Sequence, residues 1–162
     1  REKKIINTED LNQIILSAKK FKKGKVHYST KIFQALRIFV NREINELIDG
    51  LIEAFNLLPI NSVIAVVTFH SIEDKIVKFF FKNYSEIKNS SRYLPENNES
   101  HKCFKLQNKK PITPSPDELE LNPSSRSAKL RYAIKISEKC NFEEFKKKFK
   151  YLTDIENLEF DK

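Results

Sequence analysis

The sequence predicts an α/β fold, and three stretches predict it. Val63 to Val67 is a short, uncharged, β-branched run. Strands of that kind are covered on both faces and belong mostly to parallel sheets. An amphipathic stretch from Ser29 or Thr30 to about Asn56 precedes it. A long helix leading into a buried strand is one half of a βαβ unit. Later, Ala128, Leu130, Tyr132, Ile134 and Ile136 alternate with Lys129, Arg131 and Lys135, the pattern of a half-exposed strand.

The other elements follow in chain order. Asn7 or Thr8 can cap a first helix whose apolar face is Leu11, Ile14, Ile15 and Ala18. Lys19 to Lys25 reads either as an ordinary helix stop before Gly24 or as a phosphate contact. The long helix carries a stripe of Phe33, Leu36, Val40, Ile44, Leu47, Leu51 and Phe55. After the Val63 strand comes a helix with Ile76, Val77, Phe80 and Phe81 inward and Lys75, Lys78 and Lys82 outward. Ser85 to His101 reads as a mobile loop, and Cys103 to Gln107 as a weak strand. Lys109 to Pro116 is rigid and extended, and Asp117 to Leu121 is at most a short helix stopped at Asn122-Pro123. Asn141 and Glu144 fit a capping box for a last helix whose face is Phe142, Phe145, Phe149 and Leu152. That helix either packs on the core or hangs as a loose tail.

The densest chemistry lies where the buried strand ends. His70, Ser71, Glu73 and Asp74 follow Phe69 directly. In open α/β sheets ligands sit outside the carboxyl ends of the strands, where this cluster falls. Ser71 and Asp74 also fit a capping box, which would make them purely structural. Capping gives no reason for His70.

Composition narrows the classes. The chain has 162 residues and a formal charge of +8, which favours a polyanionic partner without requiring one. Its only glycines are Gly24 and Gly50, so no Gly-rich nucleotide loop can be drawn. It has no methionine, so Arg1 is not a start-codon product and the chain reads as a piece of a larger protein. No apolar run approaches the length of a membrane span. The two cysteines, Cys103 and Cys140, suggest thiols in a reducing, cytoplasmic setting. His101 and Cys103 make half a metal site with no second ligand pair, so no metal is expected.

Four blocks in order carry a resemblance. They are Phe33-Gln34-Ala35-Leu36-Arg37-Ile38, Phe69-His70-Ser71-Ile72-Glu73-Asp74-Lys75-Ile76-Val77-Lys78, Lys110-Pro111-Ile112-Thr113-Pro114-Ser115, and Asn122-Pro123-Ser124-Ser125-Arg126-Ser127-Ala128-Lys129-Leu130-Arg131. Together they resemble the C-terminal half of the bacterial small-subunit ribosomal RNA (cytosine-N4)-methyltransferases, the RsmH/MraW family. The resemblance covers roughly residues 1 to 138. It departs at His27-Tyr28-Ser29-Thr30-Lys31, where the family usually has His-Pro-Ala-Thr-Arg. It departs again at Ile60-Asn61-Ser62, where the family usually has Pro-Gly-Gly.

The resemblance implies a partial Rossmann-like methyltransferase sheet with the tail of an inserted helical domain. Residues 1–25 would end that insert, 26–138 would be the C-terminal part of the methyltransferase domain, and 139–162 a helical or mobile extension. The last two strands would form an antiparallel edge beside Val63–Val67. The cofactor would be S-adenosylmethionine, with its main loop upstream and no cofactor-binding residue in this chain. His70, Ser71 and Asp74 would be the catalytic residues lining a base pocket. Arg37, Asn41, Arg126, Ser127, Lys129 and Arg131 would face the RNA. The expected partner is small-subunit ribosomal RNA in the 30S subunit, with a homodimer as a further possibility and no membrane. The fragment would be inactive alone. The alternatives are a non-catalytic RNA-binding module and a structural fragment.

Overall fold

Asn7 begins the first helix, α1 (Thr8–Ala18), in a computed structural model that describes residues 4–18, 28–85 and 102–158. Its Oδ1 accepts from the Asp10 amide at 2.9 Å, and Asp10 accepts in return from the Asn7 amide at 3.3 Å. The Lys19–Lys25 run, His27 and residues 86–101 lie outside the described residues.

The expected single long helix is two helices, α2 (Tyr28–Asn41) and α3 (Glu43–Leu57). Arg42 between them is left-handed, with φ 53°, a conformation that no helix propagates through. The break turns the apolar face. Ile38 is buried where Leu36 and Val40 had been expected, and Val40 is 73% exposed. Beyond the break Ile44, Ile48, Leu51 and Phe55 are buried.

The amides opening α3 find their acceptor far along the chain. Glu156, buried at the end of α6 (Glu143–Glu156), accepts from Ile44 N and Asn45 N, both at 2.9 Å. A carboxylate also suits the positive end of a helix. So α6 belongs to the core rather than hanging loose. Phe145 and Phe149 are buried, and Phe80 lies 5.0 to 5.1 Å from Phe104, Phe142 and Phe145. No side chain caps α6 in the way expected of Asn141 and Glu144; Asn141 Oδ1 instead accepts from the Glu143 amide. Cys140 is bonded to Cys103, where two thiols had been expected. Closing a loop of that span is worth about 4 kcal/mol by the chain-entropy relation.

Three strands, β1 (Val63–Thr68), β2 (Phe104–Leu106) and β3 (Lys129–Lys135), form a sheet of order β1-β3-β2. The antiparallel edge beside β1 is present: β3 pairs antiparallel with both β1 and β2. Two expectations fail. The β1 strand is covered on one face only, since Val63 and Val67 are more than half exposed while Ile64 and Thr68 are buried. The β3 alternation is real but faces the other way. Lys135 is 1% exposed and Arg131 is largely buried, while Leu130, Tyr132 and Ile134 are half-buried on the open side. Buried Lys135 is satisfied because its Nζ donates to the Phe55 and Leu58 carbonyls at the end of α3, at 2.8 and 2.6 Å. A cation is favourable at that negative end. The turn before β1 holds Asn61 at φ 68°, left-handed, at the position where the resembled family has glycine.

Helix α4 (Ser71–Asn83) packs Ile76, Val77, Phe80 and Phe81 inward, with Lys75, Lys78 and Lys82 exposed, as expected. The short α5 (Pro116–Leu121) and a 3₁₀ turn (Pro123–Ser127) lead into β3. Among the described residues no helix is long and apolar enough to cross a membrane.

The Glu156 cap yields a prediction. Glu156→Ala strips acceptors from two buried or half-buried amides and should cost about 1–3 kcal/mol. Urea unfolding should show a lower midpoint at unchanged slope. Glu156→Gln, which keeps one acceptor, should lose less.

Candidate functional site

The corner after β1 is built on one helix start. His70, not Ser71, is the N-cap of α4. Its Nδ1 accepts from the Glu73 amide at 3.3 Å, while Glu73 Oε2 accepts from the amides of His70 and Phe69 at 3.2 and 2.9 Å. The capping box is therefore His70 with Glu73, and Ser71 and Asp74 are free of that duty. Capping does call for His70 after all.

The cap fixes the imidazole. A neutral ring that accepts at Nδ1 carries its proton on Nε2. His70 Nε2 lies 3.2 Å from Glu73 Oε1, yet no aligned hydrogen bond forms and the atom is buried. Glu43 faces the same point. One side-chain atom each of Glu43, His70 and Glu73 lies within 4.8 Å of the others, a spacing that would suit a cation. Holding one would mean breaking the cap and the Arg37 pair described next.

Arg37 and Asn41 do converge on this corner, through Glu43. Arg37 Nε and Nη2 donate to the two Glu43 oxygens at 2.8 and 3.1 Å, and Asn41 Nδ2 donates at 3.2 Å. Burial alone would raise the Glu43 carboxyl; the Arg37 and Asn41 bonds outweigh it and hold it below its ordinary value. Sequence reasoning missed Glu43, because the single long helix it expected set that acid in mid-helix, and only the break at Arg42 brings it back against Arg37 and Asn41. It also missed Phe69, an aromatic ring 57% exposed at the end of β1.

A second set lies one residue along α4. Asp74 Oδ1 accepts from Arg131 Nε at 2.8 Å and Oδ2 from Lys129 Nζ at 3.2 Å. Burial would raise the Asp74 carboxyl, but the two cations prevail and lower it. A carboxylate held so is a poor proton acceptor. It braces α4 against β3, and Arg131 is occupied in doing so. Ser71 is exposed on the first turn of α4. Arg126 and Ser127 are exposed in the 3₁₀ turn, with no side-chain partner among the described residues. The structure thus gathers His70, Glu73, Glu43, Arg37 and Asn41 at one point and Asp74, Lys129 and Arg131 beside it. It leaves Arg126 and Ser127 apart from these bonds.

The brace predicts a pH signature. A carboxyl whose folded pKa lies below its unfolded one stabilises fully above the unfolded value, ordinarily 3.8, and loses that stability as pH falls through the folded value. Asp74→Asn should therefore cost about 1–3 kcal/mol near neutral pH. The gap to the unmodified chain should close as unfolding is followed below the ordinary carboxyl value.

The chain matches the model of the MraW methylase family over residues 1–136. It is 41% identical over 138 residues to a protein named ribosomal RNA small subunit methyltransferase H from Sulfurihydrogenibium sp. (strain YO3AOP1), covering 84% of this chain and 42% of the relative. It is 42% identical over 132 residues to the protein of that name from Xanthobacter autotrophicus, covering 82% and 38%. With the Oceanobacillus iheyensis protein it shares 50% over 113 residues, 69% and 35%. The chain spans about two fifths of the length of the curated relatives it matches. By its sequence from the first helix through β3, the chain belongs to the MraW methylase family.

Proposed function

We propose that the chain is part of an enzyme that methylates N4 of a cytosine in small-subunit ribosomal RNA, with S-adenosylmethionine as methyl donor. What carries this reading is the family match over residues 1–136 together with the names of the relatives. That match favours an enzyme over a purely structural fragment or a non-catalytic binding module. The corner after β1 is proposed as the edge that meets the base, because it stands at the carboxyl end of a strand and exposes an aromatic ring.

The roles follow from the bonds already described. Phe69 offers a ring on which a splayed base can stack, and Ser71 an exposed hydroxyl. His70 is a positioning residue, since it acts through the cap that fixes the first turn of α4. Asp74 braces that turn against β3. Arg126 and Ser127, exposed in the 3₁₀ turn, are proposed to contact phosphate. Among the described residues nothing forms a nucleotide cradle. Gly50 lies within α3, with open space where a side chain would go. The donor, when bound, supplies the methyl group, and its binding residues are proposed to lie outside this chain. Alone, the chain is proposed to be inactive.

A chimera tests this: the chain replaces its matching portion in the Sulfurihydrogenibium relative. Labelled methyl transfer to small-subunit RNA, followed by nucleoside analysis, should show N4-methylcytidine with the chimera and none with the chain alone. His70→Ala should lower turnover and cost about 0.5–2 kcal/mol of stability through the lost cap. His70→Asn restores a capping acceptor and should recover both. Label on another base or another cytosine position would overturn the reaction assigned. Turnover unchanged in His70→Ala would remove His70 from the site.

A further inference from the structure

One surface remains that neither the corner nor the core accounts for. The β2 ladder on β3 ends at Leu106 against Ala133, and pairing resumes only where Ile112 bridges to Leu130. Past the end of β2 a groove of about 690 Å³ opens, lined from α4, from β2 and the turn after it, and from β3. It starts at Arg131, beside the first turn of α4, and reaches Lys82.

Its walls are lysine. Lys78 and Lys82 come from α4; Lys105, Lys109 and Lys110 come from β2 and the turn after it. All five are exposed, and none has an ion-pair partner among the described residues. No carboxylate lines the groove, and Arg131 is already neutralised by Asp74. Cations brought together without counter-charges raise the local potential and favour a polyanion. An aromatic ring adds a second preference. Tyr132, half-buried on the sheet face turned away from α4, borders the groove beside Asn108, its hydroxyl accepting from Asn108 Nδ2 at 3.4 Å. A basic groove with an aromatic ring is how proteins hold single-stranded nucleic acid, by phosphate contacts and base stacking.

We infer that this groove binds single-stranded RNA, its lysines on successive phosphates and Tyr132 under a base. The inference rests on the RNA substrate proposed above and adds a site distinct from the corner. It places the strand flanking a target base along α4 from Lys78, about two helix turns beyond His70.

Fluorescence anisotropy of the chain with a labelled single-stranded RNA of about 12 nucleotides, across a salt series, tests it. Each lost phosphate contact lowers the log–log salt slope by about 0.7 on a single strand. Lys109→Glu with Lys110→Glu should therefore weaken binding and lower the slope by about 1.4. Lys146→Glu with Lys147→Glu, the same charge change on exposed α6 positions, should leave the slope unchanged. Tyr132→Leu keeps an apolar side chain on the strand and should weaken RNA binding about 10-fold, leaving labelled polyglutamate unaffected. Equal losses in the two double variants, or unaltered RNA affinity in Tyr132→Leu, would overturn the assignment. So would polyglutamate binding as tight as RNA, which would point to an acidic protein instead. The methylation reading fails separately, if the chimera transfers no methyl group while these slopes behave as expected.

Discussion

The antiparallel register that sets Val63 against Ile134 and Val66 against Arg131 decides where the charges of the sheet go. It places Lys129 and Arg131 beneath Asp74 and Lys135 beneath the end of α3. Slipping by one residue would send all three to the opposite face. The cations would lose their acceptors, and a buried unpaired charge is costly. The same register turns Leu130, Tyr132 and Ile134 to the open side beside Val63, Ala65 and Val67.

This explains what the sequence disclosed and what it withheld. The period of two in β3 was legible from Ala128 to Ile136. Its facing was not, because the rule that apolar residues turn inward assumes no internal acceptors. Here a helix C-terminus and a carboxylate supply them, both from distant segments. The α4 stripe was legible in full, because four large apolar residues leave a helix no other way to pack. The long-helix reading failed at Arg42, since nothing local marks a left-handed arginine. Its reason lies in Glu156 and Asn157, far along the chain.

The corner shows the same limit at the scale of a site. Position at the end of a buried strand was enough to find His70 and its neighbours. The division of labour among them was not. Ser71 and Asp74 looked like the cap by spacing, and His70 and Glu73 are the cap in fact, because the helix starts one residue earlier than that spacing assumed. Arg37 and Asn41 were placed at the cleft, but Glu43, which holds both, was invisible without the break after Asn41. A resemblance in four blocks carried the family, and the fold then sorted braces from free groups.

If the register of β3 is what presents this chain to RNA, the contact must map beside that strand. Photocrosslinking with 4-thiouridine-substituted single-stranded RNA, followed by peptide mapping, tests this directly. The account predicts adducts on Tyr132, on the peptide from Lys105 to Lys110, and on Phe69 at the corner. Adducts gathered on the outer face of α6 around Lys146 and Lys147, with those positions bare, would contradict it.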